Sequence, residues 1–199
     1  MGQVLDNHNV RLNGIKHSTS RKTALIAVLA ALCIGTNYVM LPLPNINLMD
    51  AIVFTTGLFY GFIPGASVAA IAWLVYGSLN PLGFSAPILL VVISAEMLYA
   101  FIGSRLQRTS LGHPHKDYSS VERYLIFGVA GLFATLAYDI ITNAVSGLLA
   151  YNSIWLGLIT MNVPLPLGII HAASNFVLFA TITPLLLKLL AKGVLPKNL

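Results

Sequence analysis

The sequence predicts an all-α integral membrane bundle of six transmembrane helices with both the N and C termini cytoplasmic. Three observations carry that prediction. Hydrophobic residues make up 57% of the 199-residue chain and charged residues 9%, against about 25% charged in soluble domains, and the mean hydropathy is +0.82. Charges are absent from Thr23 to Met49 and again from Ala51 to Ala95, and Asp139 is the only charged residue between Arg123 and Lys188. All 11 Lys and Arg fall in three segments: Arg11, Lys16, Arg21 and Lys22; Arg105, Arg108, Lys116 and Arg123; and Lys188, Lys192 and Lys197. A water-soluble globule, a disordered chain and a collagen-like repeat are thereby excluded. The single cysteine, Cys33, excludes a disulfide framework and a cysteine-based zinc cluster; inside an apolar run it reads as a small core residue.

The elements follow in order. Residues 1–22 are polar and basic and form a cytoplasmic tail. A crossing helix needs about 20 apolar residues, and within lipid its backbone groups must be satisfied internally. The first span, about 23–41, exceeds the roughly 7–15 apolar residues of a signal peptide and is retained, ending at Pro42 and Pro44. The stretch 50–79 is broken at Phe62-Ile63-Pro64-Gly65 into spans at about 50–62 and 64–79, with Pro64 suited to a helix start; a re-entrant hairpin has the same parity. Asn80-Pro81-Leu82-Gly83 is a turn. Spans at about 86–104, 121–149 and 164–191 complete a membrane domain of residues 23–192, the last kinked near Pro184, and residues 193–199 form the cytoplasmic C-terminus. Six crossings place all three basic groups on one side, which the positive-inside rule makes cytoplasmic; five would send two of the groups outside. The net charge of +5 therefore reports orientation in a cell (plasma) membrane rather than nucleic-acid binding.

The outer connections 42–49, 80–85 and 150–163 hold Asn45, Asn47, Asn80, Tyr151, Asn152, Trp155 and Asn162, and no basic residue. At about 1.5 Å per residue, Glu96 and Asp139 lie roughly 15 Å deep, Asn143 and Trp73 about 9 Å, His171 about 10 Å and Asn175 about 16 Å. Three spans thus deliver polar side chains to one layer of the outer half. Asp139 and Asn143 share a helix face, as do His171 and Asn175. Ionisable residues in a bilayer are costly and face a bundle interior or a wet cavity, so the layer reads either as interhelical bonding or as a polar pocket open to the outside. We expect the pocket, with Trp73, Asn80, Glu96, Asp139, Asn143, His171 and Asn175 as substrate-binding residues. Metal-ligand spacing is lacking, no nucleophile is paired with a base, and no nucleotide-binding motif is present. No metal, cofactor or enzymatic activity is expected of the chain itself.

Small residues recur every four positions at Gly57, Gly61, Gly65 and Ala69, and at Ala27, Ala31 and Gly35, a helix-packing signal in lipid. The first stripe reads as internal packing; the second is equally suited to internal packing or to docking a partner helix.

Several of these features together resemble the substrate-binding S component of energy-coupling factor (ECF) vitamin transporters, over roughly residues 22–192. They are the Ala27-x-x-x-Ala31 pair, the Pro42-Leu43-Pro44-Asn45 exit, the Gly57/Gly61/Gly65 series, the Asn80-Pro81-Leu82-Gly83 turn and Tyr138-Asp139-Ile140-Ile141-Thr142-Asn143. The resemblance implies a six-helix membrane fold that captures a water-soluble vitamin or cofactor precursor near the outer face. It also implies association with a T-component membrane protein, through Ala27 and Ala31, and with two ABC ATPase subunits that hydrolyse ATP. With no Lys or Arg in the outer half, a neutral or cationic heterocycle is the expected ligand, on which Trp73 and Trp155 could stack. Two other classes fit the span count: a structural scaffold resembling the rod-shape protein, and an intramembrane enzyme acting on a lipid.

Overall fold

The computed structural model describes the backbone of residues 2–79, 81, 83–112 and 120–191, and the side chains of residues 19–79, 81, 83–112 and 121–189. Within these the chain is helical: α1 Gly2–Met40, α2 Met49–Tyr60, α3 Phe62–Leu79, α4 Ala86–Gln107, α5 Ser120–Tyr151, α6 Ile154–Thr160 and α7 Leu167–Ala191, with a short 3-10 turn at Ser110–Gly112. Five stretches are long and apolar enough to cross a membrane: Thr19–Met40, Phe62–Leu79, Ala86–Gln107, Val121–Tyr151 and Leu167–Leu189. Large apolar side chains cover the outside on several of these helices, among them Val39, Leu90, Phe133 and Ile169, as lipid rather than water requires. This is a multi-pass membrane protein, consistent with the plasma membrane.

The expected span at 50–62 corresponds to α2, a shorter apolar helix. Helix α2 has 12 residues, about 18 Å, well short of a hydrocarbon core of about 30 Å. The backbone of 41–48 stays out of a helix because Pro42 and Pro44 withhold amide protons and Asn45 adopts φ 56°, which Asn tolerates better than most residues. The α6 helix, inside what reads from sequence as a connection, is a second addition. Ser153 caps it by accepting a hydrogen bond from the Leu156 amide at 3.3 Å. Pro184 lies within α7, where the sequence suggests a bend.

Helix α5 packs along α7, α4 is flanked by α2 and α3, and α1 lies against α3 at the periphery. The glycine stripe does the internal packing expected of it. A side chain at Gly57 would run into the Ala100 backbone, one at Gly65 would come within 2.7 Å of the Ala100 Cβ, and Gly103 faces the backbone of Phe54 and Leu58. Backbone contact of this kind between α2 and α4 maximises dispersion where no hydrophobic drive acts. Gly61 has another task. With φ 90° it turns the chain from α2 into α3, in a region that suits glycine.

Two ends of the bundle can be distinguished. Arg105, Arg108, Arg123 and Lys188 lie at helix termini, and there Lys188 Nζ donates to Tyr124 Oη at 3.2 Å and Gln107 Nε2 donates to the Phe59 carbonyl at 3.1 Å. The opposite end carries 41–48, the α3–α4 turn, α6 and the start of α7, with no described basic residue. Counting back from the Gln107–Phe59 contact at about 1.5 Å per residue, Glu96 on α4 is about 16 Å away and Asp50 on α2 about 14 Å. The two acids therefore share a level. Helix α2 begins deep in the bundle, about 15 Å below the start of α4, and 41–48 descends to it.

Candidate functional site

The site is built where five helices bring polar groups to that level. Asp50 stands in the first turn of α2, where a carboxylate meets the positive end of the helix dipole. His171, one turn into α7, bonds to carboxylates at both ring nitrogens: Nε2 to Asp50 Oδ2 at 2.8 Å and Nδ1 to Asp139 Oδ1 on α5 at 2.9 Å. Asn175, one turn further along α7, donates from Nδ2 to Asp50 Oδ2 at 2.5 Å and to Thr135 Oγ1 at 2.7 Å. Tyr99 on α4 donates to the same Thr135 hydroxyl at 3.0 Å, and Thr135 donates in turn to the Gly131 carbonyl at 2.8 Å. Glu96 lies beside Asp50, fully buried, and its Oε2 accepts from Trp73 Nε1 on α3 at 3.1 Å. An imidazole held by two carboxylates is either imidazolium, donating twice, or shares a proton with one of them. Three carboxylates thus face at most one positive side chain.

The polar layer expected from sequence is therefore real in its geometry, and it brings together Asp139, His171, Asn175, Glu96 and Trp73. These groups do not themselves wall an open hollow. Asp50, Glu96, Asp139, His171 and Asn175 are each at most 7% exposed and Glu96 and Asn175 are 0% exposed, packed against one another rather than around water. Asn143 stands apart, half-buried, and Asn80 lies outside the described residues. Trp155 is 74% exposed, on the surface of α6 and away from Trp73. Among the described residues no group of three or more His, Cys, Asp or Glu is placed to hold a metal ion.

Two cavities flank the network. One, of about 480 Å³, opens at the neutral end and is lined by Asn37, Asn45, Asn47, Trp73, Tyr76 and the 41–46 backbone region. Its rim is fixed by Asn45, whose Nδ2 donates to the Leu167 carbonyl at the start of α7 at 3.0 Å. Its wall is an aromatic chain in which Tyr76 packs edge-on against both Tyr38, centroids 5.3 Å apart, and Trp73, at 5.8 Å. Through Trp73 this cavity connects to Glu96. The other, of about 490 Å³, is a mainly apolar groove between α5, α6 and α7 with Asp139, Asn143 and Asn162 on its lining. Irregular backbone at membrane depth is tolerated where it is buried in protein or lines a wet cavity, and 41–48 fits the second case.

Compared with known proteins, the chain matches no family model, no curated protein and no solved structure. Its own geometry must carry the reading.

Sequence reasoning missed Asp50, Asn37, Tyr76 and Thr135. Asp50 left a signal, since it alone separates two long uncharged runs. Placed at the head of a full span, it reads as an interfacial residue; only a half-length α2 sinks it into the core. The second small-residue stripe is settled against internal packing. Ala27, Ala31 and Gly35 lie on the exposed face of α1, and a side chain added at Gly35 would meet nothing within 4 Å.

Proposed function

We propose that this chain is the substrate-binding membrane subunit of an ECF-type importer, capturing a water-soluble vitamin or cofactor precursor at the outer face. The observation that carries the reading is the descent of 41–48 to a buried, uncapped helix start, lining a cavity of about 480 Å³ with three asparagines and two aromatic rings. That volume falls within the roughly 300–1,000 Å³ of small-molecule sites, and half-helices ending at membrane depth are how many transporters form substrate sites. Both termini and the basic end face the cytoplasm in this reading, as the positive-inside rule requires, and six crossings are completed by 41–48 together with α2. The cavity then opens outward.

The Ala27, Ala31 and Gly35 face of α1 docks a T-component membrane protein, which couples the chain to two ABC ATPase subunits. Small residues exposed in register let a partner backbone approach closely. ATP hydrolysis belongs to those partners. A scaffold of the rod-shape type has no use for a polar cavity at this depth, and a lipid-modifying enzyme would need a nucleophile and base near one interface.

Co-expression with T-component and ATPase subunits tests this directly. The four proteins should co-purify from detergent, and A27L/A31L should abolish the complex. Both side chains are exposed, so the variant should keep its thermal stability to within about 0.5 kcal/mol. A complex formed at wild-type yield by the double variant overturns the docking role.

A further inference from the structure

In the polar layer and on the lining of the neutral cavity, the buried side-chain atoms left without a partner are unbalanced in one direction. Asn37 Oδ1, Asn47 Oδ1, Asp139 Oδ2 and Asn175 Oδ1 are buried and have no hydrogen-bond partner among the described residues. Every one is an acceptor. Asn37, 6% exposed, lines the cavity itself, as does Asn47; Glu96 stands directly behind Trp73 on the cavity wall. An amide can turn over and offer its NH2, but an ionised carboxylate has acceptors only. Asn175 cannot turn over usefully, because its Nδ2 already serves Asp50 and Thr135. A buried acceptor left unmade is costly, and the two amide oxygens on the cavity lining, Asn37 Oδ1 and Asn47 Oδ1, call for donors from a bound molecule.

Charge points the same way. Asp50, Glu96 and Asp139 face one imidazole, and the described Lys and Arg lie at the opposite end. Arg105, the nearest basic residue along α4, is about 14 Å from Glu96 at 1.5 Å per residue, and its guanidinium sits over the Phe101 ring at 4.8 Å. An anionic ligand would find no counter-charge here and up to three like charges. A flat cation finds asparagine carbonyls and the ring of Trp73, whose π face attracts positive charge, with the Glu96 carboxyl bonded behind the indole.

We propose that the ligand of this cavity is a flat, cationic, donor-rich nitrogen compound of amidinium or aminopyridinium type, and not a carboxylate or phosphate. This rests on the assignment of the neutral cavity as the substrate site. One unit charge about 6 Å from the ligand, at an effective dielectric of about 20, changes affinity by roughly 100-fold.

Benzamidinium, neutral benzamide and benzoate share one shape and differ in charge, so they serve as probes. Because the chain has two tryptophans, W155F leaves Trp73 as the sole tryptophan reporter in the purified full chain. Benzamidinium should perturb Trp73 fluorescence saturably and raise the unfolding temperature, with neutral benzamide requiring about 100-fold more and benzoate about 10,000-fold more. E96Q should shrink that preference at least tenfold. N37D, which adds a carboxylate to the cavity lining, should strengthen benzamidinium binding and weaken benzoate, and so tests the idea even if E96Q does not fold. Benzoate binding as tightly as benzamidinium, with the same Trp73 response, overturns the charge class and leaves the cavity assignment standing. No response of Trp73 to any of the three also overturns the proposal, whereas the importer reading is judged separately by co-purification with the T component.

Discussion

Replacing His171 with Ala asks how much the network holds. The imidazole makes two hydrogen bonds, at 2.8 and 2.9 Å, to carboxylates that are 2% and 7% exposed. If these were ordinary interhelical hydrogen bonds in lipid, at about 0.6 kcal/mol each, their loss would cost about 1.2 kcal/mol. If they are charge-assisted, each is worth about 1.5–3 kcal/mol, and stranding a buried carboxylate costs about 3–5 kcal/mol. Burial and the paired geometry favour the second case, so we expect a loss of about 3–5 kcal/mol. For a chain of this size that lowers the midpoint by about 6–20 °C, at about 2–4 °C per kcal/mol. The assay is thermal unfolding in detergent, followed by the fraction that remains monodisperse on size exclusion. Adding D50N and D139N to H171A should restore most of the loss, because neutral amides no longer repel one another. A single-variant loss near 1 kcal/mol, or a triple variant weaker than H171A, would refute the charged network.

Two further predictions concern orientation and packing. Cys33, the only cysteine, is buried at 0% exposure, so L43C should react with a membrane-impermeant maleimide on intact cells, and R108C only after permeabilisation; the reverse pattern inverts the topology. G103A should destabilise the chain by about 1–3 kcal/mol through overpacking, because its Cβ would press on the α2 backbone at Phe54 and Leu58. Unchanged unfolding of G103A would mean that α2 and α4 are not in backbone contact.

The fold class was legible in the sequence because lipid makes composition a strong constraint. Long apolar runs free of charge point to membrane helices, and clustered Lys and Arg give an expected orientation without reference to any tertiary contact. Helical period alone was enough to put Asp139, His171 and Glu96 in one layer, since depth in a bundle follows residue count. Packing of Gly57 and Gly65 was likewise readable from spacing. What the sequence left undecided were relations between helices. Whether Ala27 and Ala31 face the bundle or the lipid depends on how α1 rotates against α3, which residue spacing does not encode. The length of α2 depends on how far 41–48 descends before helical bonding begins, and with it the burial of Asp50. Only tertiary structure joined Asp50 to His171 across 121 positions and left the amide oxygens of Asn37 and Asn47 unpartnered on one cavity lining, because hydrogen-bond pairing is a property of neighbours in space.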